Sequence, residues 1–389
     1  MRTAKPIFSQ LIEWIHPEQF RRCVNRYGGN YRMRHFSCWD QFLAMSFAQL
    51  TYRDSLADIE VCLRSHTDQL YWLGFGSQVA HSTLADANRS RDWRLYHDLA
   101  QLLIARARRL YAHESFGVEL AQTVYALDAT TIDLCLSLFP WARFCSTKGA
   151  VKLHTLLDLR GPIPSMIWIS DGKQGEASIL DELILEPGAF YVMDRGYVDF
   201  ERLHRFVLAG AFFITRAKIN LQANRLESRP VESGSGVRSD QRIRLRFPKS
   251  LEHYPDRLRR ISYRDPERHQ ALIFLTNNFD LPARIIAQLY KCRWQVELFF
   301  KWIKQNLRIR HFFGTSDNAV KTQVWIAVCI YVLVAIVRKE LKLELSLSQI
   351  LQILSVNVFE QAPLAELVAK TTPQIETGNP HNQLIFNYF

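Results

Sequence analysis

Apolar residues recur every three to four positions through roughly the first 115 residues, and thereafter the pattern changes to short apolar runs. WDQFLAMSFAQL (39–50), SLADIEVCLRS (55–65) and WRLYHDLAQLLIARARRLY (93–111) keep the helical spacing and predict helices. Ser55, with Asp54 and Asp58 nearby, and Ser82 before TLADANR are the expected N-caps, since a short side-chain oxygen can accept the first free amides. TVYALD (123–128), VKLHTLLD (151–158) and IPSMIWIS (163–170) read as strands, the last two joined by a turn at Gly161-Pro162. EASILDELIL (176–185) reads as a helix, and Pro187-Gly188 ends it before the strand AFYVMD (189–194). VDFERLHRFVLAG (198–210) predicts a helix stopped by Gly210, followed by the strand AFFITRA (211–217).

Residues 218–280 interrupt this alternation. IRLRF (243–247), LRRISYR (258–264) and ALIFLTN (271–277) form a small β-rich insertion in which arginines outnumber acids. Asp280 is placed to cap the next helix, with Pro282 in its first turn. A second helix, about 319–341, is expected to pack behind that one, and the amphipathic LSQILQILSV precedes a polar tail. Three strands, helix, strand, helix, strand is the order of a ribonuclease H-like core. The expected fold class is therefore α/β, with a β-rich insertion and an all-helical region in front. Its expected divisions are 1–118 (helical, DNA-binding), 119–217 (first part of the core), 218–280 (insertion), 281–345 (second part of the core) and 346–389 (C-terminal segment).

The chain has 389 residues, of which 48% are hydrophobic and 12% aromatic, so it can bury a large core. A net charge of +11 and a pI near 9.4 point to a polyanionic partner, nucleic acid before a membrane surface. The scattered cysteines at 23, 38, 62, 135, 145, 292 and 329 show no metal-ligand spacing and read as reduced thiols of the cytoplasm. The longest apolar run, Val324 to Val337, is short for a membrane span of roughly 20 residues and is expected to be a buried core helix.

The chemistry concentrates in YKCRWQVELFFKWIK. Tyr290, Arg293, Glu297 and Lys304 follow one another at steps of three, four and seven, which puts them on one face of a single helix, with Lys301 and Arg308 extending the row. Leu289, Cys292, Val296, Phe299, Ile303 and Leu307 form the opposite, core-facing stripe, and Trp294 on the seam is expected in the core. Arginine, lysine and a tyrosine hydroxyl suit phosphate, whereas a carboxylate beside phosphate needs a divalent cation between them. Such a cation needs further acids. Asp128 closes TVYALD and Asp194 closes AFYVMD, and acids at the ends of buried strands tend to be site residues. Asp133, Asp158, Asp171, Glu176 and Asp199 compete; Asp158 is the most serious rival, while Asp133 and Asp199 are expected to cap or pair locally. Hard oxygen ligands select Mg²⁺ or Mn²⁺, and two ions about 4 Å apart would hold the attacking and leaving oxygens of an in-line phosphoryl transfer. His154 reads as a core histidine, and His311 as a charge near the end of the Glu297 helix.

YALDATTIDL, DRGYVDF and the Y-x2-R-x3-E-x6-K row together resemble the DDE transposases of bacterial insertion sequences, in the insertion-sequence-four family with its Y-R-E-K signature. The resemblance covers about 120–341 and includes the β insertion. It implies a ribonuclease H-like core in which Asp128, Asp194 and Glu297 bind two divalent ions, and Tyr290, Arg293 and Lys304 contact phosphates at the transposon end. It further implies metal-dependent cleavage at terminal inverted repeats, strand transfer into target DNA, a homodimer in the synaptic complex, and a nucleoid-associated protein with no membrane partner. Members that excise through a hairpin hold a flipped base on an aromatic residue of the insertion. No tryptophan lies between Trp168 and Trp294, and Tyr254 and Tyr263 are expected to be ordinary buried tyrosines. A nuclease or resolvase without strand transfer, and an inactive transposon-derived DNA-binding protein, are the alternatives. A glycosidase built on Asp128 and Glu297 would leave the arginine–lysine row unexplained.

Overall fold

The computed structural model describes residues 5–142, 149–172, 175–265, 269–306 and 312–370. Helices fill the first third: α1 (Ile7–Ile12), α2 (Pro17–Arg26), α3 (Cys38–Leu50), α4 (Leu56–Arg64), α5 (His81–Ser90) and α6 (Arg94–Tyr111). The Ser37 hydroxyl accepts the Asp40 amide at 3.0 Å while Asp40 accepts the Ser37 amide at 2.9 Å, a reciprocal cap that starts the almost wholly buried α3. Ser55 caps α4 by accepting the Asp58 amide, as its sequence position implies. Ser82 does not cap α5: that helix begins one residue earlier, after Ala80, leaving Ser82 inside the first turn.

One mixed sheet carries the rest. Its strands are β1 (Val124–Leu134), β2 (Gly149–Asp158), β3 (Ile163–Asp171), β4 (Phe190–Met193), β5 (Phe212–Arg216), β6 (Ala223–Arg229), β7 (Val237–Leu245), β8 (Leu258–Arg264) and β9 (Ala271–Thr276), in the order β3-β2-β1-β4-β5-β9-β8-β7-β6. β1, β4 and β5 run parallel to one another, and the remaining pairs are antiparallel. Helix α7 (Phe200–Leu208) joins β4 to β5. The stretch 176–185, expected as a helix of the same kind, is a 3-10 helix over Glu176–Glu182. The basic segment is not a separate lobe: β9 pairs with β5, so β6–β9 continue the same sheet, with α8 (Pro248–His253) between β7 and β8. Part of its arginine content is internal. Arg259, 1% exposed, donates to Asp240 through Nε at 2.9 Å and Nη2 at 2.8 Å.

Helices α9 (Ala283–Cys292), α10 (Trp294–Asn306), α11 (Asp317–Glu340), α12 (Leu347–Asn357) and α13 (Leu364–Lys370) complete the described chain. Two expectations fail at the start of α9. Asp280 is not its cap; Pro282 is the N-cap residue, and Asn278 Oδ1 instead accepts the Leu281 amide at 2.9 Å. The expected single helix is two, meeting at Arg293, which is the C-cap of α9. Helix α11 has a mean hydropathy of 2.1 and is long and apolar enough to cross a membrane, but 94% of its apolar window is buried inside the fold. Helices apolar on all sides belong in a core, and α11 packs on α3, α6 and α10 together.

Candidate active site

In the parallel pair β1–β4, Leu127 stands beside Met193. The next residues, Asp128 and Asp194, therefore leave neighbouring strands at the same level, a strand spacing of about 4.8 Å apart. β4 stops there, and Asp194 precedes a short 3-10 turn, Arg195–Tyr197. β1 does not stop at Asp128, as its apolar run suggested, but continues to Leu134 against β2 alone. The crevice opens where β1 loses its parallel neighbour, the place at which open α/β sheets gather ligands. Leu127 and Met193 point into the core on one face of the sheet, so by alternation both aspartates face the other, towards α9 and α10.

The four residues of the row meet this edge. The Tyr290 hydroxyl donates to Asp194 Oδ1 at 3.3 Å. Arg293 donates through Nη2 to Glu297 Oε1 at 2.7 Å and through Nη1 to Asp128 Oδ2. Lys304 Nζ donates to the Thr131 carbonyl at 2.8 Å. Asp128 Oδ1 also accepts the Ala129 amide at 2.8 Å. Burial pushes Asp128 up to about 6; Arg293 and the Ala129 amide oppose that rise, and the Glu297 and Asp194 charges add to it. Burial likewise pushes Tyr290 up to about 12, so it is a hydroxyl donor at neutral pH. Arg293 is raised: burial works against its charge, and Asp128, Tyr290, Glu297 and Asp194 outweigh it.

Behind the row, Leu289, Val296, Phe299 and Ile303 are buried as their spacing requires, and Lys301 is exposed. Leu307, Arg308 and His311 lie outside the described residues. Trp294 departs from expectation: it is 49% exposed rather than in the core, because α10 turns that edge outward. Tyr254 and Tyr263 are buried, as is His154, whose Nε2 lies 3.1 Å from Ser170 Oγ. Asp158 drops out as a rival. It stands opposite Tyr125, at the other end of β1, held by Arg108 Nε at 3.2 Å. Asp199 caps α7 as expected, but Asp133 is an exposed residue within β1 opposite Ala150.

The rival that does reach the crevice is Glu176. Its Oε1 lies 3.9 Å from Lys152 Nζ, and a Cβ added to Gly196 would collide with its Oε2. Sequence reading passed over Tyr197, whose fully buried hydroxyl has no hydrogen-bond partner. Its position three residues after Asp194 was the available signal.

Carboxylates around a guanidinium make a set of hard oxygen donors already sharing one cation, and such a set fits a divalent ion of the Mg²⁺ class. With Arg293 between Asp128 and Glu297, no three Asp, Glu, His or Cys side chains among the described residues stand together as ready-made ligands.

Comparison with known proteins agrees with this arrangement. Residues 119–333 match the family described as the transposase DDE domain. The chain belongs to the transposase DDE-domain family. The chemistry of that family is DNA cleavage and strand transfer, and the resemblance to insertion-sequence transposases holds. The protein y4zB of Sinorhizobium fredii, named as a transposase, is 31% identical over 288 residues, covering 73% of this chain and 79% of that one. A Geobacillus stearothermophilus protein, named as the transposase of insertion sequence element IS5377, is 28% identical over 255 residues, covering 65% of this chain and 66% of that one. A piggyBac transposase synaptic complex with hairpin DNA aligns at a TM-score of 0.46 and 10% identity, over 95% of this chain and 82% of that chain; a likeness this low carries no argument. In front of the DDE domain, residues 3–76 match a domain of unknown function. DDE transposases depend on divalent metal, and the carboxylates of the crevice are suitable ligands.

Proposed function

We propose that Asp128, Asp194 and Glu297 are the catalytic acids and metal ligands of this insertion-sequence transposase, and that Tyr290, Arg293 and Lys304 bind phosphates of the transposon end. The observation that carries the reading is the Arg293 bridge: one guanidinium holds Asp128 and Glu297 together, next to an Asp194 tied to Tyr290. The arrangement of β1–β5, with β1, β4 and β5 parallel and β2 and β3 antiparallel beside them, supports a ribonuclease H-like core. The Y-R-E-K spacing supports membership of the insertion-sequence-four family.

Two Mg²⁺ or Mn²⁺ ions, when bound, would neutralise the acids and stabilise the charge of the attacking and leaving oxygens. The protein's own side chains do the rest. Arg293, drawn off the acids, offers a two-point fork to a phosphate, and Lys304 offers a single charge beside β1. Tyr290 holds Asp194 through its hydroxyl. Cleavage and joining use the same groups, since only the nucleophile changes, from water to a 3′-hydroxyl. We assign the transposon ends to the helical region 1–118 and the exposed arginines of 218–280, and a homodimer to the synaptic complex that joins two ends in the nucleoid.

The test is cleavage of linear DNA bearing the element's terminal inverted repeats, in Mg²⁺ and in Ca²⁺. The wild type is expected to cut and join in Mg²⁺. Glu297→Gln is expected to bind the same DNA and not cut. Cleavage by that variant at the wild-type rate would remove Glu297 from the site.

A further inference from the structure

Tyr197 ends the 3-10 turn after Asp194 and has no exposed surface. Its ring belongs to the apolar cluster of Tyr125, Leu127 and Met193, on the sheet face opposite the acids. Its hydroxyl lacks a partner, an arrangement that costs about 1–3 kcal/mol and that phenylalanine would avoid at nearly equal volume. The charges of Asp128, Glu176, Arg293 and Asp194 all act on this phenol, Asp128 the most strongly. Two more polar atoms of the crevice are buried and unpartnered: Arg293 Nε and the hydroxyl of Thr155, the register partner of Asp128. Meanwhile both oxygens of Asp128 are taken, Oδ1 by the Ala129 amide and Oδ2 by Arg293. The competing acceptor, Glu176, is paired with Lys152 at 3.9 Å.

We propose that Tyr197 is a positioning residue for Asp128: when a divalent cation displaces Arg293, the Tyr197 hydroxyl donates to the Asp128 carboxylate from beneath the strand end and fixes its orientation toward the ion. The orphaned hydroxyl is thus a donor whose acceptor is held by Arg293 in the metal-free protein. Hydrogen bonds to a ligating carboxylate set its orientation, and losing one costs about 10–100-fold in metal affinity. This inference rests on the assignment of Asp128 as a metal ligand.

The experiment compares wild type, Tyr197→Phe and Asp128→Asn as full chains without DNA, measuring Mn²⁺ affinity by titration calorimetry and melting temperature without metal. Tyr197→Phe is expected to melt at or above the wild-type temperature and to bind Mn²⁺ about tenfold or more weakly, with cleavage restored by raising Mn²⁺. Unchanged Mn²⁺ affinity would overturn the proposal. So would weaker binding accompanied by a lower melting temperature, because a loosened fold explains both. If Asp128→Asn binds Mn²⁺ like the wild type, the acid assignment itself fails. If only Asp128→Asn loses binding, the acid stands and the role of Tyr197 falls.

Discussion

At the scale of single residues, the site is defined by which charges are paired with which. Arg293 keeps two carboxylates apart and neutral as a group, so the crevice holds acid side chains that would otherwise repel one another. Next to it, on β2, His154 is buried with Nδ1 unpartnered, and burial, aided by Lys152, depresses it from an ordinary value of 6.5 to about 4. A histidine with a lowered folded value contributes nothing above its unfolded value, and its protonation in the unfolded chain then draws stability away as the pH falls. The loss runs from about pH 6.5 to pH 4 and reaches about 2 kcal/mol by pH 5. Chemical denaturation at pH 7 and pH 5 checks this: His154→Gln is expected to lose less stability across that interval than the wild type. None of this was legible beforehand, because His154 sits in an apolar run that specifies burial but not the charge on Lys152.

At the scale of elements, helix and strand periods were readable wherever one face is apolar and the other polar. The stripe Leu289, Val296, Phe299 and Ile303 is buried as its spacing requires. The break at Arg293 left no such mark, since the residues on both sides keep the helical period and only the pull of Asp128 across the crevice singles out the junction. The β-rich segment was recognised by its strands, yet its place in the main sheet depends on the β5–β9 pairing, which local sequence does not encode. Its interior rests on the Arg259–Asp240 pair, which also holds the carbonyl of Leu281 at 2.6 Å and so ties β7 and β8 to the start of α9. Arg259→Ala leaves a buried carboxylate unpaired and is expected to destabilise the fold by about 3–5 kcal/mol. Thermal melting reads it, and the double change Arg259→Met with Asp240→Leu is expected to recover much of the loss.

At the scale of the whole molecule, the helical region and the catalytic sheet share one core. A single apolar cluster runs from Ile7 to Val368, and α11 lies at its centre. Asn318, at the head of α11, donates to the carbonyls of Asn88 at 2.8 Å and Arg91 at 2.6 Å, fastening α5 to the catalytic half. Of the surplus positive charge, Arg225, Arg244 and Arg246 are exposed on β6, on β7 and just beyond it. DNA binding is expected to weaken steeply with salt, and neutralising these three is expected to lower the slope of log affinity against log salt by about one for each that touches a phosphate. Anisotropy titrations across a salt series measure it, and an unchanged slope would place the DNA elsewhere. The chain's chemistry was set by its sequence alone: which residues are acids, which suit phosphate, and which faces of helices and strands are apolar. These follow from side-chain identity and from spacings within one element. Only the tertiary structure decided that Asp128, Asp194 and Glu297 meet, that Asp158 does not join them, and that Tyr197 lies beneath the crevice. Those facts depend on strand order and on which faces pack together, and residues so distant along the chain carry no local signal of either.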